Sequence, residues 1–239
     1  MTRSFTDALL GAATPVIMEI KLRDAHGTSL VGDRSPAGIV ADYEAAGAPC
    51  LSVVTGRWFG GTHDLLRAVT SRTDLPVLQK DFITKESQLV DARELGASAV
   101  LLTAQLLPRS TLRHLIESCL RLGLTPFVEV VSEAEADAVV RGEDCVVAVN
   151  NKDIRHREHG PADIGRSTSL LPAVLRSGTR CPVSASGIDD PETAARLVHT
   201  GFAGLLIGTG LLRAESLHVW LTEFERHLVG RHRVQGSRT

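Results

Sequence analysis

The chain has 239 residues, enough for one large domain with a substantial core and, by length alone, also compatible with two small ones. Its formal net charge is -2, which gives no electrostatic case for nucleic acid or an anionic membrane surface as partner. Cys50, Cys119, Cys145 and Cys181 are scattered, form no CxxC pair and fall in apolar contexts, so they read as reduced core residues. The start, Met1 to Asp7, has no apolar leader core, and no stretch approaches the length of a membrane span; a cytoplasmic protein is expected.

Apolar, strand-like runs alternate with amphipathic, helix-like runs along nearly the whole chain. Thr6 to Ala13 reads as a short leading helix within an N-terminal segment 1–14, and Val16 to Lys21 as the first strand. Ser35-Pro36 pairs an N-cap with a first-turn proline and opens a helix to Ala46. Cys50 to Thr55 is a strand, followed by a Gly-rich loop from Gly56 to Gly61 and a helix from Thr62 to about Arg72. The third strand lies in Leu75 to Phe82 and ends on Lys80. A helix from Lys85 to Leu95, a strand from Ala99 to Thr103 and a helix from Ser110 to Leu122 follow.

Pro126 to Val130 is the fifth strand. Ser132 with Glu135 has the spacing of a capping box, for a helix expected to reach Arg141. Val146 to Asn150 is a strand, Asn151 to Pro161 a polar loop, and Ile164 to Leu175 a helix. Pro182 to Ser186 is the seventh strand, and Asp190-Pro191 starts a helix to His199. Gly204 to Gly208 is the eighth strand, Ser216 to Val229 the last helix, and 230–239 a polar tail expected to fray. Eight strands, each followed by a helix and unbroken by any linker, predict a single α/β domain over 1–239, a (β/α)8 barrel with a short leading helix. A doubly wound sheet is the competitor; no GxGxxG follows the first strand.

Such barrels place their chemistry at the C-terminal ends of the strands. The residues that fall there are Glu19, Lys21, Thr55, Lys80, Thr103, Glu129, Asn150, Ser186 and Gly208. Glu19 and Lys21 are two apart, so both point to one side, and their opposite charges reduce the cost of burying either. Two lysines and two glutamates converging in one cavity supply acid and base partners, or a structural ion-pair plug. Ser186-Gly187 and Gly208-Thr209-Gly210 follow the seventh and eighth strands, where barrels commonly bind phosphate. Trp58, Phe59, Phe82 and Leu101 could wall a flat ring or pack the core. His156 and His159 do not match a helical zinc motif and read as solvated; no metal is expected.

From about Phe5 to Arg213 the chain resembles the indole-3-glycerol phosphate synthase family. The resemblance rests on motifs in order: Glu19-Ile20-Lys21, Trp58-Phe59-Gly60-Gly61, Leu78-Gln79-Lys80-Asp81-Phe82, Val128-Glu129-Val130, Asn150-Asn151-Lys152-Asp153, Ser186-Gly187-Ile188 and Gly208-Thr209. It implies a carboxy-lyase that closes the ring of 1-(2-carboxyphenylamino)-1-deoxyribulose 5-phosphate with loss of carbon dioxide and water, using no metal and no organic cofactor. By that resemblance Lys80 is the general acid, Glu129 the acid-base partner, Lys21 paired with Glu19 a substrate contact, and Asn150 an orienting group. Ser186, Gly187, Gly208 and Thr209 would hold the phosphate, and Phe59, Phe82 and Leu101 the ring.

Four departures lie on the substrate side. Asp24 stands where the family usually has a hydroxyl, Lys152 where it has arginine, Ala185 where it has glutamate, and Gly60 where it has asparagine. The segment before the first strand is also shorter than usual. The sequence thus leaves open a working synthase, a paralogue acting on a related sugar-phosphate adduct with Arg23, Asp24, His26 and Lys152 setting specificity, and a phosphate-ligand binding protein without turnover. Monomer and homodimer are both compatible with it.

Overall fold

The computed structural model describes residues 4–152 and 160–230. Its strands are β1 (Val16–Ile20), β2 (Cys50–Val54), β3 (Val77–Lys80), β4 (Ala99–Thr103), β5 (Thr125–Val130), β6 (Val146–Asn150), β7 (Cys181–Ala185) and β8 (Gly204–Ile207). All neighbours pair in parallel, and β8 pairs with β1 to close the barrel in sequence order. The expected (β/α)8 barrel is the fold.

The helices are α1 (Phe5–Leu10), α2 (Pro36–Ala45), α3 (His63–Thr70), α4 (Glu86–Glu94), α5 (Arg109–Arg121), α6 (Glu133–Ala136), α7 (Ile164–Arg176), α8 (Pro191–Thr200), α9 (Thr209–Leu212) and α10 (Leu217–Gly230). Ser35 caps α2 by accepting from Gly38 N–H at 3.1 Å, and Asp190 caps α8 by accepting from Thr193 N–H at 2.8 Å. Three elements differ from expectation. The leading helix, expected to reach Ala13, ends at Leu10. The helix after Ser132 stops at Ala136, five residues short of Arg141. Downstream, Arg141 takes a left-handed turn and Gly142 lies flush on the Ser177 carbonyl at the end of α7, where a Cβ would come within 1.8 Å. The Gly208-Thr209-Gly210 stretch, read as a loop, runs into α9, a single turn too short to show periodicity.

Strand residues sort into two apolar clusters by parity. Met18, Leu51, Val53, Val100, Leu102, Val128, Val147 and Ile207 face the helices. Ile17, Cys50, Leu78, Leu101, Phe127, Ala148, Val183 and Leu206 fill the barrel interior. Two residues beyond the interior set come Glu19, Lys80, Thr103, Glu129 and Asn150, which therefore point inward at the C-terminal mouth.

The other end of the barrel is closed by α1. Phe5 meets Phe127 edge-on with ring centroids 6.2 Å apart, and the Cys50 thiol donates to the Phe5 carbonyl at 3.5 Å. Leu9 sits against Gly204, where a Cβ would approach Leu9 Cδ2 to 2.7 Å. All four cysteines are buried free thiols, and burial pushes those of Cys119, Cys145 and Cys181 up to about 12. Phe5→Ala should lower stability by about 3–5 kcal/mol, the cost of emptying a large aromatic site. Urea unfolding measures this. Turnover per folded molecule should stay within about two-fold, because the plug lies at the end of the barrel away from the mouth.

Candidate active site

Glu19 is the centre of the mouth. It is 2% exposed, and its two carboxylate oxygens face two different ammonium groups. Oε1 lies 3.6 Å from Lys21 Nζ, and Oε2 lies 3.4 Å from Lys80 Nζ. Burial raises the Glu19 pKa, but the charges of Lys80 and Lys21 outweigh it and hold the carboxyl below its ordinary value. The parity that predicted a shared side for Glu19 and Lys21 holds, although Lys21 falls one residue past the strand. Lys21 also sits over the Phe59 ring, 5.2 Å from its centroid.

Gly208 makes the carboxylate's place possible. A Cβ at Gly208 would come within 2.4 Å of Glu19 Oε1, so only glycine lets the end of β8 pass the charged group.

Beside this triad, Asn150 Nδ2 donates to Glu129 Oε1 at 3.0 Å, and both residues are buried. The Asn150 Oδ1 accepts from Lys152 N–H at 2.9 Å, which fixes which way the amide faces. Arg166 reaches in from α7 and donates to the carbonyls of Asn150 and Lys152.

A cavity of about 150 Å³ joins Glu19, Lys21 and Lys80 to Lys152, Ser186, Gly187, Gly208, Thr209 and Arg213. The four residues expected to hold phosphate thus share one concavity with three of the expected catalytic residues. Ser186 adopts a left-handed backbone, with φ of 70°. Its carbonyl is held there by Asn151 Nδ2 at 3.1 Å, and Asn151 is locked in turn by Ser184 and Ser167 in a buried polar network. No sequence motif marks Asn151 or Arg213 as a site residue. The signal for Arg213 was a cation one turn beyond Gly-Thr-Gly.

The aromatic residues form a flank. Phe82 packs at a tilt against Trp58 with centroids 4.9 Å apart, and Phe59 carries Lys21 on its face. Leu101 lies deeper, in the interior cluster one inward step below Thr103. The Asp24 carboxylate is turned into its own loop, accepting from the His26 and Thr28 N–H groups at 2.9 Å each and pairing with Arg213. His156, His159 and Asp153 lie outside the described residues. Among the described residues no group of three or more His, Cys, Asp or Glu is placed to hold a metal. Among them, too, no helix is long and apolar enough to cross a membrane.

A profile described as indole-3-glycerol phosphate synthase matches residues 1–224. The chain belongs to this family. It is 35% identical over 211 residues to indole-3-glycerol phosphate synthase of Pyrococcus furiosus, covering 88% of this chain and 91% of the relative. With indole-3-glycerol phosphate synthase 1 of Streptomyces coelicolor it shares 36% identity over 206 residues, covering 86% and 75% respectively. Among solved structures, 3-hexulose-6-phosphate synthase from Salmonella typhimurium superposes with a TM-score of 0.69 at 12% identity, covering 91% of this chain and 99% of that one. That likeness shows the barrel alone.

Family membership gives the four departures their measure. Gly60 has φ of 74°, a left-handed backbone conformation that glycine adopts freely and asparagine tolerates. Lys152 keeps a cation in the cavity, with the fork of arginine exchanged for a point charge. Asp24 has its charge compensated by Arg213. Nothing in the structure explains Ala185.

Gly208→Ala should displace the Glu19 carboxylate and cost about 1–3 kcal/mol in urea unfolding. Glu19→Gln should cost about 3 kcal/mol at pH 7, because it takes a shared counter-charge away from two nearly buried ammonium groups. The folded Glu19 pKa is depressed, so its contribution is fully present above the unfolded value of about 4.3 and fades as pH falls through the lower folded value. The stability gap between wild type and Glu19→Gln should therefore shrink on acidification below about pH 4.3. A gap that stays constant down to pH 3 would contradict the assignment.

Proposed function

We propose that this mouth carries out the family's carboxy-lyase reaction, with the residues dividing the work as follows. The substrate is 1-(2-carboxyphenylamino)-1-deoxyribulose 5-phosphate, and the product is indole-3-glycerol phosphate. The observation that carries the reading is the placement of Lys80 and Lys21 on the two oxygens of one buried carboxylate, inside the cavity that reaches the loops after β7 and β8.

The aromatic carbon bearing the carboxylate attacks the ketone carbon of the sugar chain. Lys80 donates a proton to the ketone oxygen as that bond forms, so the developing alkoxide is neutralised where it appears. Carbon dioxide then leaves, and its bonding electrons restore the aromatic ring. The new hydroxyl departs as water while a proton is taken from the neighbouring carbon, which completes the indole. Glu129 takes and returns protons in this dehydration, and Asn150, fixed on Glu129 at 3.0 Å, sets the direction of that carboxylate. Glu19 keeps both ammonium groups in place. Lys21, braced between Glu19 and the Phe59 ring, contacts the substrate.

The phosphate sits against Ser186, Gly187, Gly208 and Thr209. Binding the dianion anchors the flexible chain and brings the ring against the aromatic flank, so remote binding energy orders the reacting carbons. Phe59 and Phe82 line the ring, with Leu101 beneath them. Asp24 and Lys152 stand at the sugar-phosphate end of the mouth. Residues 1–239 act as one domain.

Fluorescence turnover of the substrate without added metal tests the reading. Wild type should form indole-3-glycerol phosphate, and Lys80→Ala should lower kcat by about 10²–10⁴-fold. A folded wild-type protein that binds the substrate and does not turn it over would refute the proposal.

A further inference from the structure

Asp24 departs from the family's usual hydroxyl, yet it is only 7% exposed, and two backbone N–H groups of its own loop hold Oδ1. An acceptor fixed in this way cannot swing. Its other oxygen, Oδ2, receives Arg213 Nη2 at 2.5 Å. Arg213 follows α9 directly, one turn beyond Thr209, and its N–H donates to the Thr209 carbonyl at 3.0 Å. The Arg213 side chain is 57% exposed and lines the same cavity as Lys152, Ser186 and Gly208. A guanidinium has five N–H donors, so one bond to Asp24 leaves others for the cavity.

A second tie runs parallel to the first. Arg34, at the far end of the β1–α2 loop, donates to the Leu212 carbonyl at 2.9 Å and to the Leu30 carbonyl at 2.7 Å. The loop after β1 is thus fastened twice to the segment after β8.

We infer that Arg213 is a direct ligand of the substrate phosphate and that Asp24 is its positioning residue, a carboxylate that holds the guanidinium over the Ser186 and Gly208 loops. This rests on the reading that the substrate is a sugar phosphate bound in this cavity. The carboxylate gives the guanidinium a charge-assisted anchor where a hydroxyl gives a neutral one. It also offsets the Arg213 charge, so Arg213 acts chiefly through direction, as planar donors do on phosphate oxygens.

The test compares wild type, Arg213→Ala, Arg213→Lys, Asp24→Ala, Asp24→Ser and the Asp24→Ala/Arg213→Ala double variant. Steady-state kinetics on the full substrate is paired with calorimetric binding of glycerol 3-phosphate, which reports the phosphate site without chemistry. Arg213→Ala should raise KM and the glycerol 3-phosphate Kd by at least ten-fold and change kcat by less than three-fold. Asp24→Ala should raise both constants three- to ten-fold, Asp24→Ser should recover part of that loss, and the double variant should be no worse than Arg213→Ala.

Arg213→Ala binding glycerol 3-phosphate as wild type does would overturn the inference. So would additive losses in the double variant. Arg213 is exposed, so its variants remain informative if Asp24→Ala fails to fold. Weakened glycerol 3-phosphate binding in Arg213→Ala, with no turnover by the wild type, would uphold the ligand assignment and sink the proposed reaction.

Discussion

The mouth of the barrel depends on one buried carboxylate. An ammonium group taken out of water is costly, and two of them side by side also repel. Glu19 faces both Lys21 and Lys80 at once, and its own ionised form is favoured by the same contacts that make the lysines tolerable there. Gly208 belongs to this arrangement, because the end of β8 has to pass where the carboxylate lies.

The barrel separates stability from chemistry along its axis. At one end α1 inserts Phe5 and Leu9 against Phe127 and Gly204 and seals the interior with apolar contacts. At the other, the inward positions turn charged or polar: Glu19, Lys80, Thr103, Glu129 and Asn150. Period-two alternation along each strand produces both ends. A single register fixes the apolar plug below and the polar ring above.

The loops around the mouth are braced by side chains from elsewhere in the chain. Asn151, Ser167 and Ser184 hold the Ser186 carbonyl so that a non-glycine residue keeps a left-handed backbone. Arg166 spans the carbonyls of Asn150 and Lys152, while Arg34 and the Asp24–Arg213 pair join the loop after β1 to the turn after β8. A change at a loop position is therefore absorbed where its partner allows. Gly60 keeps the backbone conformation that asparagine also adopts, and Asp24 has a cation beside it.

By itself the sequence determined the barrel, the order of its elements and the ring of residues at the strand ends. Those follow from alternating apolar runs, caps such as Ser35 and Asp190, and the inward parity of Glu19, Lys80, Glu129 and Asn150, all of which are local patterns. The extent of α6 and the existence of α9 were not legible. One is cut short as the chain packs against the end of α7, and the other is a single turn that periodicity cannot register. Tertiary structure alone decided which distant charges meet. Lys80 meets Glu19 across 61 residues of chain, and Arg213 meets Asp24 across 189. Closure of β8 onto β1 brings the last loop of the barrel against the first, and no pattern within either segment encodes that contact.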